Sequence, residues 1–205
     1  MEVYLISNNL YENRIGYQTK DNIDKKRMTR PLSVEGEKEA KNIAILDDLA
    51  DVNVIYSSIY ASSIASAKYL ADRLDKKIIV DEYLHDFEIG DLKNYSLKMV
   101  KFMQNHDFDI RLNNGESLND ISKRITNVIN KIVHLNLAHK VAVFTHQRLI
   151  LGFLIGHGKC GYNLEDELII EYNDEVIYSG EEKEVDIIKI TYEDDEITKI
   201  EVIDF

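Results

Sequence analysis

The stretch KVAVFTHQRLILGFLIG, residues 140–156, joins a run of β-favouring apolar residues to a longer apolar segment through the polar triplet HQR. A short, nearly continuous apolar run rich in Val and Phe indicates a strand that is buried on both faces. MEVYLIS (1–7) and DVNVIYSS (51–58) have the same character. We therefore predict three buried parallel strands, with the triplet at the carboxyl end of the third and a helix beginning just after it.

Helical spacing of apolar residues marks the segments between these strands. Residues recur every three or four positions from Val34 to Leu49, from Ser62 to Leu74 and from Ser117 to Leu135. Ser33 and Ser117 precede two of these segments as plausible N-caps, the second with Asp120 three residues on as an imperfect capping box. Alternation of strand and helix predicts an α/β fold in which helices flank a mostly parallel central sheet.

The last third of the chain has a different pattern. From Glu167 onward, period-two segments such as ELIIEYND, EVIYSG, VDIIKITYEDD and EITKIEVID are separated by Asn-Asp, Ser-Gly and Asp-Asp pairs. Period-two patterning between turn residues predicts antiparallel strands or hairpins. The acidic cluster Glu181, Glu182 and Glu184 reads as a solvated loop. With 205 residues and no linker-like tract, we predict one domain over 1–205.

Composition excludes several classes of partner. A formal net charge of −12 repels polyanions, so nucleic acid is not an expected partner. A single cysteine, Cys160, and no Cys/His cluster predict neither a disulfide nor a bound metal or other cofactor. No apolar run is long enough for a membrane span and the start lacks a signal-peptide layout, so we expect a cytoplasmic protein without a membrane partner.

Six segments, in order and spacing, resemble motifs of the phosphoglycerate-mutase-like histidine phosphatases. Two of them match closely: RPLSVEGEKEAKNIA (30–44) resembles the family's Pro-Leu-Thr-x-x-Gly helix start, and NNGESLNDISKRI (113–125) resembles its Gly-Gly-Glu-Ser segment. The resemblance covers about residues 2–175 and implies the family's three-layer α/β sandwich, here with extra antiparallel strands at the carboxyl terminus.

The other four segments place the catalytic positions of the family. VYLISNNLYEN (3–13) puts Ser7 and Asn8 where the family has arginine and the nucleophilic histidine. VIYSSIYASSIASAKYLADRL puts Ser62 at the second phosphate-binding arginine. YLHDFEIGDL places Asp86 at the proton-donor position, and VAVFTHQRLILGFLIG places His146 as the second pocket histidine.

The resemblance implies a chemistry that this chain has only in part. In the family the first histidine attacks phosphorus, the arginines and the second histidine hold the phosphoryl oxygens, and a carboxylic acid protonates the leaving alcohol. Asparagine cannot replace the nucleophile, because its amide nitrogen lone pair is delocalised into the carbonyl. Glu116 is the retained glutamate of the degenerate pocket. Arg148, just after His146, is the one candidate to restore a positive charge.

Two functions follow from different classes of protein. The favoured interpretation is a pseudophosphatase, a binding or regulatory module for a small-molecule or protein ligand, since Ser7, Asn8 and Ser62 all fall on phosphate-contacting positions. The alternative is a weakly active phosphomonoesterase that uses His146, Asp86 and Arg148.

Overall fold

A computed structural model describes residues 1–7, 27–135, 139–180 and 187–204 of the chain. Within these ranges the strands form two sheets, one of six strands and one of three. The strands are β1 (Glu2–Ser7), β2 (Val54–Ser58), β3 (Ile78–Asp81), β4 (Lys140–Thr145), β5 (Lys159–Tyr162), β6 (Leu168–Tyr172), β7 (Glu175–Ser179), β8 (Ile187–Glu193) and β9 (Glu196–Val202).

Helices separate the strands of the larger sheet. Those whose bounds lie in the described ranges are α1 (Val34–Ala44), α2 (Ala61–Leu74), α3 (Leu97–His106), α4 (Leu118–Leu135) and α5 (Gln147–His157), with short 3-10 turns at Asp47–Leu49 and Glu82–Leu84. None of the described helices is both long and apolar enough to cross a bilayer.

The larger sheet has the order β3-β2-β4-β1-β8-β9. Strands β1 to β4 pair in parallel, whereas β8 runs antiparallel to β1 and β9 antiparallel to β8. The predicted fold class is confirmed: a mostly parallel sheet with flanking helices and added antiparallel strands at the carboxyl terminus. Strands β5, β6 and β7 form the second, fully antiparallel sheet.

Both faces of the sheet are covered, which explains the continuous apolar runs. On β1, Val3 and Leu5 belong to the core formed with α4 and α5, while Tyr4 and Ile6 belong to the core formed with α1 and α2. All four side chains are fully buried. Alternate residues of a strand point to opposite faces, so a strand buried on both sides loses the polar alternation of a half-exposed one.

The predicted helix starts are confirmed in atomic detail. The Ser33 hydroxyl accepts from the backbone N–H of Gly36 at 3.0 Å. At α4, the Ser117 hydroxyl accepts from the Asp120 N–H at 3.1 Å, and the Asp120 carboxylate accepts from the Ser117 N–H at 3.0 Å. The shorter aspartate thus completes a reciprocal capping box normally made by glutamate.

The hairpin signals are also confirmed. Asn173 and Asp174 join β6 to β7, and Asp194 and Asp195 join β8 to β9, all four with positive φ. Two consecutive left-handed residues are what a type I′ hairpin turn requires, and Asn and Asp tolerate that conformation best after glycine. The acidic cluster at 181–184 lies outside the described residues.

Some elements differ from the sequence prediction. The first helix ends at Ala44, where the Ile45 and Leu46 N–H groups bond three residues back and tighten the last turn. Helix α3 is absent from the sequence prediction. Its buried residues are Val100 and Gln104, and a buried face that includes a polar residue does not show a helical spacing of apolar residues. Strand β3 is a short, half-exposed edge strand with only three apolar residues.

Helices α4 and α5 approach closely at Gly152, which gives a stability prediction. A Cβ at Gly152 would lie 2.6 Å from the Ile121 side chain and 3.2 Å from the Ser122 nitrogen, so Gly152→Ala should destabilise the fold by about 1–3 kcal/mol. Gly161→Ala is the matched control, since nothing lies within 4 Å of its Cβ position, and should change stability by less than about 0.5 kcal/mol. Urea unfolding measures the free energy of unfolding of both variants. Equal losses of stability in the two would contradict the close packing at Gly152.

Candidate functional site

Three strand ends meet at the carboxyl edge of the larger sheet. Ser7 pairs with Thr145 in the β1–β4 register, and Ser57 pairs with Phe144 in the β2–β4 register. His146 follows Thr145 directly, so it lies between the ends of β1 and β2. Parallel sheets place ligand sites at this edge.

His146 is held by contacts from the last residue of β2 and from the turn that follows. Its Nε2 lies 2.9 Å from the Ser58 hydroxyl, and its ring meets the Tyr60 ring edge-on at 4.6 Å between centroids. The residue is only 8% exposed. On the other side of the ring, Nδ1 lies 3.8 Å from an Asp86 carboxylate oxygen, which is too long for a direct hydrogen bond. His146 and Asp86 are therefore neighbours in the structure.

Asp86 forms an ion pair with Arg27, a residue that the sequence prediction did not include. The Arg27 guanidinium contacts the carboxylate and donates to the Phe87 carbonyl at 3.0 Å, and it lies 4.9 Å from the centre of the Phe87 ring. The other carboxylate oxygen of Asp86 accepts from the Phe87 N–H at 2.8 Å. Both charged side chains are largely buried, at 12% and 17% exposure.

These surroundings set the protonation states of the pair. Burial alone would raise the pKa of Asp86, but the interactions with His146, with Arg27 and with the Phe87 N–H outweigh it and hold that pKa below its usual value. Burial lowers the pKa of His146 to about 4, against the opposing pull of Asp86 and with help from Arg27. Near neutral pH the site therefore contains a neutral imidazole, a carboxylate and a guanidinium.

The loop that carries Asp86 is fixed by a second loop. Gly90 has φ +76°, and a Cβ there would lie 2.6 Å from the Asn113 oxygen; a Cβ at Gly115 would lie 2.7 Å from the Ile89 oxygen. Glycine is needed at both positions because the two backbones touch. The Glu116 N–H donates to the Glu88 carbonyl at 2.8 Å, which locks the loops together.

Glu116 supports this junction rather than contacting the histidine. Its carboxylate accepts two hydrogen bonds from Arg124 at 2.7 Å, and a third from the Glu88 N–H. Arg124 also donates to the carbonyls of Tyr83 and His85. Among the described contacts, Glu116 therefore positions the loop before and after Asp86.

Arg148 points toward α3. It donates to Asn105 at 2.8 Å and to Gln104 at 2.9 Å, and its guanidinium lies 5.7 Å from the Phe87 ring centre, a ring that Arg27 also contacts. Its Nε is buried with no hydrogen-bond partner in the described structure. Burial lowers the pKa of Arg148 to about 10, which leaves it charged at neutral pH.

The remaining predicted residues are placed in part. Ser7 is fully buried at the end of β1, and Ser62 is 5% exposed in the first turn of α2. Asn8 lies outside the described residues. No group of metal-binding side chains occurs within the described ranges. Arg27 was missed although it lies in DKKRMTR (24–30), a basic run in an acidic chain that could have suggested a cation for this site.

Comparisons with known proteins agree with the observed fold. The family model of the histidine phosphatase superfamily (branch 1) matches residues 18–173. No curated protein sequence matches the chain significantly.

Similar solved structures are phosphatases with low sequence identity. They include an α-ribazole phosphatase from Shigella flexneri, with TM-score 0.62 and 15% identity. The match covers 97% of this chain and 94% of the phosphatase. A mycobacterial glucosyl-3-phosphoglycerate phosphatase has TM-score 0.61 and 15% identity, and the match covers 93% of this chain and 91% of that one. A mutant phosphoserine phosphatase from Entamoeba histolytica, in complex with phosphoserine, has TM-score 0.64 and 17% identity. The match covers 97% of this chain and 95% of that one. At these identities the likeness shows the fold alone.

The buried neutral histidine predicts a pH dependence of stability. The pKa of His146 is about 4 in the folded chain, against an ordinary value of 6.5. Between these two pH values the histidine is protonated in the unfolded chain and neutral in the folded chain. Stability should therefore fall as the pH drops from 6.5 toward 4, by at most about 1.4 kcal/mol per pH unit. His146→Gln should flatten this slope in urea unfolding, whereas His134→Gln, on an exposed side chain, should keep it. If stability depends on pH equally in the two variants, His146 is not the group responsible for the loss of stability at low pH.

Proposed function

The chain belongs to the histidine phosphatase superfamily, and we propose from that premise that it is a pseudophosphatase: a domain that keeps the family pocket as a binding or regulatory site without phosphoryl transfer. The observation that carries the proposal is the Arg27–Asp86 ion pair. A general acid must hold a proton near the working pH. A carboxyl group whose pKa is lowered by its histidine neighbour and by a buried guanidinium does not hold one.

The nucleophile supports the same conclusion. Asn8 occupies the family's nucleophile position in the sequence, and an amide cannot form a phosphoryl-enzyme intermediate. His146 does not replace it readily, because its Nε2 already bonds to Ser58 and its ring is packed against Tyr60. Attack on phosphorus would require breaking that hydrogen bond inside a buried site.

Binding of a phosphoryl group is weakened as well. Ser7 and Ser62 replace two arginines, and a charge-assisted hydrogen bond contributes roughly 1.5–3 kcal/mol. Each lost arginine therefore costs about tenfold or more in affinity. Neutral, buried hydroxyls suit a ligand with polar but less charged groups better than a phosphate dianion.

One observation favours the alternative, a weakly active phosphomonoesterase. Among the residues that the structure describes, none bonds to the buried Arg148 Nε, and Arg148 could contact an anion through that atom. Its terminal nitrogens, however, are held by Gln104 and Asn105 on α3, so the bidentate clamp on a phosphate would require their release.

Hydrolysis of a generic aryl phosphate distinguishes the two functions. For a pseudophosphatase, the wild-type protein should turn over the ester no faster than His146→Ala, because neither protein has a nucleophile or a protonated acid. The release of aryl alcohol at neutral pH measures both. A tenfold or greater loss in the variant would instead support the alternative.

Restoring the family residues tests whether the loss is local. Ser7→Arg, Asn8→His and Ser62→Arg together should raise the affinity for orthophosphate and vanadate by at least about tenfold while leaving turnover low, because Arg27 still holds Asp86 ionised. Adding Arg27→Gln should then raise the turnover. Arg27→Gln alone is the control and should remain inactive. Calorimetry of each folded variant reports affinity; a folded triple variant with no gain in anion affinity would contradict the pocket assignment.

A further inference from the structure

Strand β3 leaves one edge of the larger sheet unpaired. It is the first strand in the sheet order and forms a parallel ladder with β2 along Ile78–Asp81. Within the ranges that the structure describes, no strand or side chain hydrogen-bonds to its outer side. Alternate backbone N–H and C=O groups of an edge strand point away from the sheet, so this edge offers hydrogen-bonding groups to another strand.

The opposite edge of the same sheet is covered. On β9, the Ile197 carbonyl accepts from the Tyr172 hydroxyl at 2.8 Å, and the Thr198 carbonyl accepts from the Asn173 side chain at 3.4 Å. Both donors follow from the second sheet, at the end of β6 and in the turn after it. The chain itself therefore protects β9, whereas it leaves β3 open.

Apolar side chains lie along the open edge. Ile79 is 45% and Val80 is 50% exposed, and Tyr83, just after the strand, is 55% exposed. Successive strand residues point to opposite faces, so Ile79 and Val80 present apolar surface on both faces of the sheet at its rim. Edge strands of this kind pair readily with a strand of another molecule.

Charges of opposite sign lie at the two ends of this strand. The order is KKIIVDE (76–82), with two lysines before the apolar residues and two acidic residues after them. Lys76, Lys77 and Glu82 are exposed, and Asp81 is half-buried. One Asp81 oxygen accepts from the Tyr83 N–H at 2.9 Å, which leaves the other oxygen for a cation. We call residues 76–82 the β3 edge.

We propose that the β3 edge is a dimer interface, in which β3 of a second copy of this chain pairs antiparallel with it across a two-fold axis at Ile79. In an antiparallel pair, moving one residue forward on one strand moves one residue back on the other. With the axis at Ile79, this residue faces its own counterpart, Ile78 faces Val80, and Lys77 faces Asp81. Each of the last two contacts occurs twice, as two-fold symmetry requires.

Strand geometry selects a second copy in this orientation. Lys77, Ile79 and Asp81 share one face because strand residues alternate, so the facing charges meet on the same side of the pair. Moving the axis by half a residue in either direction still sets a lysine against Asp81 or Glu82. An in-register parallel strand would set lysine beside lysine, and a strand of uniform charge would be repelled at one end.

The lysines direct pairing at this edge. Lysine on an edge strand commonly prevents association, because a partner strand would bury or approach its charge. Here the acidic end of a second copy neutralises both lysines, and the lysines neutralise the acidic end in return. The edge therefore disfavours other strands and accepts its own.

The expected dimer is a weak one. A four-residue strand and its flanks form a small surface, at or below the low end of the roughly 1,200–2,000 Å² that specific interfaces bury. Exposed charge pairs contribute little each, and the net charge of −12 on each copy opposes association at long range. We therefore expect reversible dimerisation with a Kd of about 10 μM or above.

Sedimentation velocity of the full chain tests for the dimer. The wild-type sedimentation coefficient should rise from monomer toward dimer as the concentration increases to about 1 mM. Ile79→Lys should stay monomeric, because the two new ammonium groups would face each other across the axis. Ile79→Val keeps an apolar, β-branched residue and should dimerise as the wild-type chain does. A wild-type chain that stays monomeric, or an Ile79→Lys variant that dimerises as tightly, would overturn the proposal.

Charge exchange within one chain tests the antiparallel register. Lys77→Asp and Asp81→Lys each bring like charges together at both symmetry-related contacts, so each should raise the Kd at least about fivefold. The double variant Lys77→Asp/Asp81→Lys keeps the net charge and restores both pairs, so its Kd should return to within about twofold of the wild-type value. Circular dichroism verifies the fold of each variant. A folded double variant that fails to recover would contradict the register.

Hydrogen exchange locates the contact on the chain. As the wild-type concentration rises, amide exchange should slow in residues 76–83 and stay constant in α3. If the chain dimerises while exchange in residues 76–83 is unchanged, the interface lies elsewhere and the proposal is wrong.

A matched pair of variants separates the effect from net charge. Lys76→Glu/Lys77→Glu should lose the dimer, whereas Lys98→Glu/Lys131→Glu, on exposed side chains of α3 and α4, changes the charge equally and should keep it. A monomeric wild-type chain that instead binds a synthetic strand peptide of alternating valine and glutamate, with exchange slowed in residues 76–83, would overturn the dimer and identify strand addition by another protein. None of these outcomes depends on whether the pocket is catalytic.

Discussion

Strand β4 hydrogen-bonds to β1 on one side and to β2 on the other, and this central position determines where the polar groups of the chain meet. Parallel pairing aligns the carboxyl ends of all three strands, so the residues that follow them share one edge of the sheet. His146 leaves β4 at that edge and finds Ser58 at the end of β2 within hydrogen-bond distance. The site is a consequence of strand register before any loop is considered.

Beyond that register, the site is governed by buried charge. Arg27 and Asp86 satisfy each other, and the free energy gained by such a pair is offset by the cost of removing both ions from water, so it contributes little net stability. The pKa of Asp86 stays below its usual value, so this carboxylate is ionised, while burial keeps the adjacent imidazole neutral. A phosphatase needs the opposite arrangement, a protonated acid beside an anion-binding cation. In the function proposed above, Asp86 is therefore half of a buried ion pair and not a general acid.

The sequence predicted the elements whose signal is local. Buried strands, helix caps at Ser33 and Ser117, and the Asn-Asp and Asp-Asp turns each depend on a few adjacent residues, and each was found. His146 and Asp86 were located through a family resemblance, and the structure brings them within 3.8 Å. The role of Arg27 could not be inferred in the same way, because its contact with Asp86 spans 59 positions and depends on tertiary packing. Arg148 shows the converse: proximity in sequence to His146 suggested a phosphate ligand, but the rotation of α5 directs its terminal nitrogens to α3.

Helix α3 lies between the pocket and the surface. One side of it bonds to Arg148 and the other is exposed to solvent. Gln104 and Asn105 accept the Arg148 hydrogen bonds, and Gln104 also donates to the carbonyls of Ile110 and Glu116. These bonds fix the helix against the loop that positions Asp86. Phe102 lies on the opposite, solvent side of the same short helix. The buried face of this helix is therefore part of the framework that holds Arg148 beside the Phe87 ring.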